Sequence, residues 1–432
     1  MTTRFSKRAL GLTILIVGLG LTAVLWTVFR DGGPSGYTIA QSAEERQLEP
    51  QVEAAELDTL VAGNTRFALD LYQALRHEGA NLFFSPYSIS LALAMTYAGA
   101  LGDTEAQMAQ ALHFTLEQES LHQAFNALDL ELSALSDAPT DGGRFQLDIA
   151  NALWGQSGWS FLPEFLDILA ENYGSVIQLL DFARDPEDAR LTINDWVCRQ
   201  TGERVADLLP PGAIDSLTEL LLTNAIYFSA TWEFCFNPDF TIDEGCFARL
   251  DGTEVEVPIM RQMAPLRYAE GSTYQAVEIP YLGGEFSMVA LLPQLSMFES
   301  FASALNANQL AQIMSRMFTP ISVYLAMPKF SYESGFHLKD PLTSLGMPDA
   351  FSEAADFSGM DGSRELFLDE VFHKAFISVD EDGTEAAAGT AAGIYRMETP
   401  EVFLNHPFIF LIVHNETRTV LFIGQVTDPS AG

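Results

Sequence analysis

The sequence predicts a mixed α+β protein with helices and strands segregated along the chain. Three observations carry that prediction. Apolar residues recur at helical spacing through the first third, runs rich in β-formers dominate from residue 220 onward, and no internal repeat is visible. Of 432 residues, 48% are apolar and 19% charged, which excludes a disordered chain and allows a sizeable core.

The first element is residues 9–29, ALGLTILIVGLGLTAVLWTVF, which hold no charge and are long enough to cross a hydrocarbon layer of about 30 Å. Arg4, Lys7 and Arg8 precede the run and the acidic bulk follows it, so the positive-inside rule sends the body across the membrane. Residues 1–30 are therefore expected to be a signal anchor or a signal peptide. The anchor is favoured because the apolar core is long for a cleaved signal and no A-x-A site follows promptly. Either form places the folded part outside the cytoplasm, secreted or held at the membrane. Residues 31–56, DGGPSG and then a polar Glu/Gln-rich stretch, read as a linker or stalk, and the globular domain is expected over 57–430.

Within that domain, NTRFALDLYQAL (64–75) spaces Phe67, Leu71 and Leu75 four apart and predicts a helix capped by Asn64. SPYSISLALAMTYAGA (85–100) is apolar nearly all round and predicts a buried helix. Asp103–Leu112 predicts a third helix with Asp103 as its cap. RFQLDIANALWGQ (144–156) alternates as a strand, and LLLTNAIYFSATW (220–232) predicts a strand buried on both faces. Further strands are expected at 274–281, 286–293, 321–331, 372–381, 406–414 and 420–426.

The net charge of −36 argues against nucleic acid as a partner, since such a body repels phosphate backbones. Cys198, Cys235 and Cys246 cannot form a disulfide framework; they read as buried free thiols, with a Cys235–Cys246 hairpin pair as the alternative. No cysteine or histidine grouping has metal-ligand spacing, so neither metal nor cofactor is expected. No G-x-S-x-G, H-E-x-x-H or G-x-x-x-x-G-K motif is present, and the chain is read as not an enzyme.

Residues 381–393, EDGTEAAAGTAAG, depart from ordinary folding logic. All of 386–393 except Thr390 are alanine or glycine, and no proline interrupts them. A flexible linker is the usual reading of such a composition. Here the segment follows a strand-like run, and tiny proline-free residues can occupy a crowded central position in a sheet. At period two, Thr384, Ala386, Ala388, Thr390 and Ala392 share one face. The segment is built both to wait outside a sheet and to enter it.

This arrangement resembles the serpins, the serine-protease-inhibitor family. The likeness is carried, in family order, by NLFFSPYSISLALAMTYAGALGDTEAQMAQALHF (81–114), LLLTNAIYFSATWEFCF (220–236), LAMPKFS (325–331), LGMPDAFSEAADFSGM (345–360), VFHKAFISVDEDGTEAAAGTAA (371–392) and FLNHPFIFLIVHNETRTVLFIGQV (403–426). It covers nearly all of 57–428 and implies the serpin fold: one domain of about nine helices around three β-sheets, with an exposed reactive loop at 381–402. It also implies a suicide-substrate inhibitor, in which a serine protease cuts the loop, the loop inserts into the main sheet and the covalent acyl-enzyme is trapped.

The resemblance assigns the loop hinge to Gly383, Thr384, Glu385, Ala386, Ala387 and Ala388. It assigns a polar network that governs sheet opening to Ser85, Ser88, Asn224 and His373. It assigns the mouth where the loop goes in to Trp232, Lys329 and Glu381. The intact hinge favours inhibition over a non-inhibitory serpin-fold binding protein. The reactive bond falls at Arg396–Met397 when counted back from Pro400 and at Met397–Glu398 when counted forward from Gly383. Arg396, the only basic residue between Lys374 and Arg418, makes a trypsin-like target the main expectation, with a chymotrypsin- or elastase-like target at Met397 as the alternative. The expected partners are a serine protease and, through residues 9–29, a membrane. Heparin is not expected, since residues 101–141 contain no lysine or arginine, and the protein is expected to be a monomer.

Overall fold

A computed structural model describes residues 36–77, 79–136, 145–317, 319–384 and 399–431. In chain order the described elements are β1 (Thr38–Ala40), α1 (Ala54–Leu75), β2 (Leu82–Phe84), α2 (Pro86–Tyr97), α3 (Gly102–Leu112), α4 (Gln118–Ser136), β3 (Phe145–Gln156), α5 (Pro163–Tyr173), β4 (Ile177–Leu180), α6 (Pro186–Gln200) and β5 (Leu220–Thr231). There follow β6 (Ile242–Ala248), β7 (Glu254–Glu270), β8 (Tyr274–Pro280), β9 (Phe286–Pro293), α7 (Phe298–Ala304), α8 (Ala307–Ser315), β10 (Ile321–Pro328) and β11 (Phe330–His337). The chain continues through α9 (Lys339–Ser344), α10 (Ser358–Asp361), β12 (Glu370–Val379), β13 (Gly383–Thr384), β14 (Glu401–Phe403), β15 (Phe408–His414) and β16 (Val420–Val426).

The architecture is mixed α+β, with ten α-helices among the described residues, close to the nine expected. Sheet A runs β1-β4-β3-β5-β12-β11, with β13 paired to β5. The other strands form a continuous layer ordered β14-β10-β7-β8-β9-β15-β16-β2, with β6 on β7. Strand β7 divides that layer into two sheets. Its residues 254–259 pair with β6, 259–266 with β10 and only 267–270 with β8. Its exposed side switches near Met260, from Glu254, Glu256 and Pro258 to Met263, Pro265 and Arg267.

The central strand β5 is buried at all twelve positions. One face, with Leu222, Ile226, Phe228 and Ala230, joins the main core; the other, with Leu221 and Ala225, packs beneath Ala189, Ile193 and Val197 of α6. Helix α2 beneath the sheet is likewise buried at every position, as its all-round apolar sequence predicts.

Two cap expectations are corrected. Helix α1 begins ten residues before Asn64, where the Glu56 side chain accepts the Glu53 backbone N–H at 3.1 Å, and Asn64 is a buried mid-helix residue accepting the Ser90 hydroxyl at 2.7 Å. Helix α3 follows Leu101, so Asp103 lies inside its first turn. A capping side chain and an exposed mid-helix one look alike in a short window; the apolar stripe upstream of Asn64 was the discriminating signal. The expected 321–331 strand is two strands, broken at Lys329. The described part of 31–56 is not a stalk: β1 extends sheet A, and the chain then crosses α4 and α5 before α1 starts at Ala54.

Candidate functional site

Sheet A carries a row of polar side chains across its middle. The register sets Asn151 of β3 and His373 of β12 on either side of Asn224 of β5. The Asn224 amide donates to Asn151 Oδ1 and Ser88 Oγ, and its Oδ1 meets His373 Nδ1. His373 Nε2 accepts the Ser85 backbone N–H at 3.2 Å. The Ser85 hydroxyl caps α2 by accepting the Ser88 N–H at 3.1 Å and donates to the Leu421 carbonyl at 2.6 Å. The four residues expected to form a network are thus in contact, and each buried polar group has a partner. Asn151 completes the set. It is a polar residue on the strand face that otherwise carries Leu147, Ile149 and Leu153, and that break in an apolar face was the available signal.

The bonds fix the imidazole tautomer. Nε2 accepts from a backbone N–H, so the proton sits on Nδ1 and points at Asn224. Burial pushes the His373 pKa down to about 3. The unfolded chain titrates near 6.5. Between those values only the unfolded form takes up the proton, so stability is fully present above pH 6.5 and falls as the pH drops towards 3. Going from pH 7 to pH 5, His373 is expected to remove about 2 kcal/mol. Urea unfolding of wild type and His373→Gln at both pH values checks this: the variant should lose less, and an equal loss would refute the assignment. His122, pushed down to about 4 by burial, acts in the same direction and remains in the variant.

At the upper end of β5 the chain turns from β12 into β13. The Asp380 side chain accepts the N–H groups of Asp382 at 3.0 Å and Gly383 at 3.2 Å, holding the turn. Trp232, stacked on Tyr281 at 4.5 Å, donates its indole N–H to the Asp380 carbonyl at 3.1 Å and its backbone N–H to the Asp382 carbonyl at 2.9 Å. The Lys329 ammonium meets Glu381 Oε2 at 2.6 Å, and the Thr241 hydroxyl donates to Oε1 at 2.8 Å. Burial raises the Glu381 carboxyl pKa, but those two bonds outweigh it and hold the group below its usual value. Trp232, Lys329 and Glu381 therefore lie together at this turn, with Thr241 and Asp380 bonded among them.

Strand β13 shows why position 383 holds a glycine. Gly383 lies opposite Thr231 and Thr384 opposite Ala230, both antiparallel to β5. A Cβ on Gly383 would fall 2.1 Å from the Ala230 carbonyl oxygen and 2.7 Å from Thr231 Cα. No side chain fits there, so the close approach of two backbones requires glycine. Glu385, Ala386, Ala387, Ala388, Arg396 and Met397 lie outside the described residues. The expectation of buried thiols is corrected: Cys198 and Cys235 are half-buried, Cys246 is exposed, and none of the three is in a disulfide. Among the described residues no His, Cys, Asp and Glu are grouped to hold a metal ion.

Three sheets with helices packed around them, and β13 paired to β5 within sheet A, define the fold class. The sequence model described as serpin (serine protease inhibitor) matches residues 62–429. The leukocyte elastase inhibitor of Bos taurus is 39% identical over 385 residues, covering 86% of this chain and 100% of the relative, and its Homo sapiens counterpart is 36% identical with the same coverage. Among solved structures, the thermophilic serpin tengpin in its native state aligns with a TM-score of 0.78 and 29% identity over 89% of this chain and 97% of its own. Uncleaved ovalbumin aligns with a TM-score of 0.76 and 27% identity over 86% and 100%. The chain belongs to the serpin family, and it is a protease inhibitor of the serpin type.

The comparisons correct two expectations. The reading of the chain as simply not an enzyme gives way to a positive class, since the family and these relatives are named for the protease activity they inhibit. The placement outside the cytoplasm, secreted or membrane-anchored, is overturned, and a membrane partner is not supported. The elastase inhibitors are matched over their whole length by 86% of this chain, so the remainder, where the apolar run lies, has no counterpart in them. Among the described residues no helix is long and apolar enough to cross a membrane, and residues 9–29 lie outside those residues.

Proposed function

We propose that this protein inhibits a chymotrypsin- or elastase-like serine protease as a suicide substrate, with cleavage at Met397–Glu398. The observation that carries the mechanism is the pairing of Gly383 and Thr384 with Thr231 and Ala230. Continued one for one, that register sets Ala386 opposite Phe228, Ala388 opposite Ile226, Thr390 opposite Asn224 and Ala392 opposite Leu222. These β5 residues are buried, and only small side chains suit a strand slipped beneath them. Tyr227 to Leu221 now pair with Phe376 to Glu370 of β12. Ala387 would claim the Tyr227 position, so insertion beyond Ala386 requires β12 to part from β5. His373 then leaves Asn224, and Thr390, with a donor and an acceptor, takes its place.

The network of Ser85, Ser88, Asn151, Asn224 and His373 is thus a latch that exchanges partners when the sheet opens. The Lys329–Glu381 pair and Trp232 form the gate above it. With Lys329 about a third exposed, that pair contributes only about 1 kcal/mol, which suits a contact that has to break. The acyl-enzyme forms when the protease serine attacks the Met397 carbonyl, and insertion carries the bound protease away before water can complete hydrolysis.

The relatives named as elastase inhibitors favour Met397 over Arg396 as the residue before the cut. Methionine, unbranched and adaptable, fits an apolar protease pocket. Trypsin-like cleavage at Arg396–Met397 is retained as a second reading because of the lone arginine. Mixing the protein with elastase, chymotrypsin and trypsin tests both. A covalent band surviving SDS is expected with the first two, together with a released fragment beginning at Glu398. A fragment beginning at Met397, with trapping of trypsin alone, would move the bond to Arg396. Cleavage with no covalent band for any of the three would refute inhibition.

A further inference from the structure

The chain that follows the reactive loop rejoins the body as β14, and the two edges of that strand are held differently. On one edge lies β10: the Tyr324 N–H donates to the Pro400 carbonyl at 2.9 Å, and the Leu404 N–H donates to the Ala326 carbonyl at 2.8 Å. Successive peptide groups of a strand point to opposite edges, so the Glu401 carbonyl faces away from β10. Strand β14 ends its layer, and that edge has no further strand. The carbonyl is nevertheless bonded. The Gln275 side-chain amide reaches across from β8 and donates to it at 3.0 Å.

Gln275 is itself fixed. The register sets it opposite Glu270 across the β7–β8 pair. Its amide also donates to the Tyr268 hydroxyl at 3.1 Å, and that hydroxyl donates to Glu270 Oε2 at 2.7 Å. Burial, with the Glu270 carboxylate beside it, pushes the Tyr268 pKa up to about 12, so the hydroxyl keeps its proton and its bond to Glu270 near neutral pH. The two amide hydrogens of Gln275 are both committed, one to Tyr268 and one to Glu401.

The place of this contact gives it a consequence for the reaction. Glu401 is four residues beyond Met397. At about 3.5 Å per residue, its Cα lies within about 14 Å of the Met397 Cα. A protease has to hold the scissile carbonyl in place to within about 1 Å. Freedom at the start of β14 is freedom at the bond, and docking has to freeze it. Without the Gln275 bond, Glu401 loses its support on the outer edge, and the fixed point retreats to the buried Val402 and Leu404. The residues that enter sheet A lie before the bond, on the other piece of the cut chain. The anchor therefore acts on attack by the protease and not on insertion.

We propose that Gln275 is a positioning residue for the inhibitory reaction: held by Tyr268 and Glu270, it clamps the outer edge of β14 and steadies the bond presented to the protease. It acts through Glu401. This rests on the protease-trapping reading above and applies to either candidate bond.

The test uses the full chain against chymotrypsin and trypsin, which covers both bonds. It reads the second-order rate of loop consumption and the number of inhibitor molecules used per protease trapped. Wild type, Gln275→Met and Gln275→Glu are compared. Methionine keeps the length and removes the donor, and glutamate sets an acceptor against the carbonyl. The rate is expected to fall about three- to tenfold in both variants, with the stoichiometry unchanged. A rate equal to wild type overturns the clamp. So does slower trapping matched by more cleaved product, which would put Gln275 in the insertion step. Equal melting temperatures check the fold. Should the Gln275 variants fold poorly, Tyr268→Phe decides by the same readouts, with a fall of about twofold expected and an unchanged rate overturning the proposal. A wild type that is cut but traps nothing defeats the inhibitory reading alone, and the cutting rates still decide the clamp.

Discussion

Cleavage of the loop is expected to raise the melting temperature by about 20 °C, and Thr384→Arg is expected to shrink that rise and to cut the trapping of protease. An inserted strand running on from Thr384 would add on the order of ten ladder hydrogen bonds at about 1 kcal/mol each. For a domain of this size each kcal/mol moves the melting point by roughly 2 °C. The magnitude follows from strand addition and not from any one side chain. Thr384 pairs in register with Ala230, whose own side chain joins the main core. An arginine there would bring an unpaired charge beneath the sheet, a burial that costs several kcal/mol. Insertion then slows while hydrolysis of the acyl-enzyme does not, and the inhibitor becomes a substrate. The ratio of covalent complex to cleaved product on an SDS gel should fall at least about tenfold, since 1.4 kcal/mol in the competing barriers suffices for that. An unchanged ratio would remove Thr384 from the hinge.

Legibility in the sequence tracked how far each signal was local. Strand β5 and helix α2 were readable because their burial on every side leaves an unbroken apolar run. Strand β7 carries no legible strand signal although it is seventeen residues long. Its exposed face changes sides near Met260, so no single alternation describes it. The role of Gly383 was half legible. A glycine at a hinge suggests backbone freedom, but the need for it is the 2.1 Å approach to Ala230, which only the paired strands reveal. Asn224 and His373 could be paired only through family resemblance, because one strand register set them side by side across 149 residues of chain. Strand β1 was invisible for a different reason. Three residues, TIA, in a polar stretch carry almost no pattern of their own and become a strand because β4 offers an open edge.

The choice of bond gives the other large effect. Met397→Gly is expected to slow the trapping of elastase- and chymotrypsin-like enzymes by about 30- to 200-fold. An emptied pocket in the transition state loses roughly 2–3 kcal/mol. Arg396→Ala is expected to leave those rates within about threefold, because a neighbouring position contacts the protease outside its specificity pocket. The same Arg396→Ala change should remove any reaction with trypsin, whose pocket requires a cation. The two variants therefore give opposite patterns for the two bonds, and second-order rate constants against each enzyme distinguish them. A loss with Arg396→Ala against every protease, and none with Met397→Gly, would place the cut after Arg396. Glu398, immediately after the favoured bond, supplies an internal control. Protease subsites that disfavour an acid should gain from Glu398→Ser if the cut lies at 397–398, whereas the effect should be weaker if Glu398 is one residue further away.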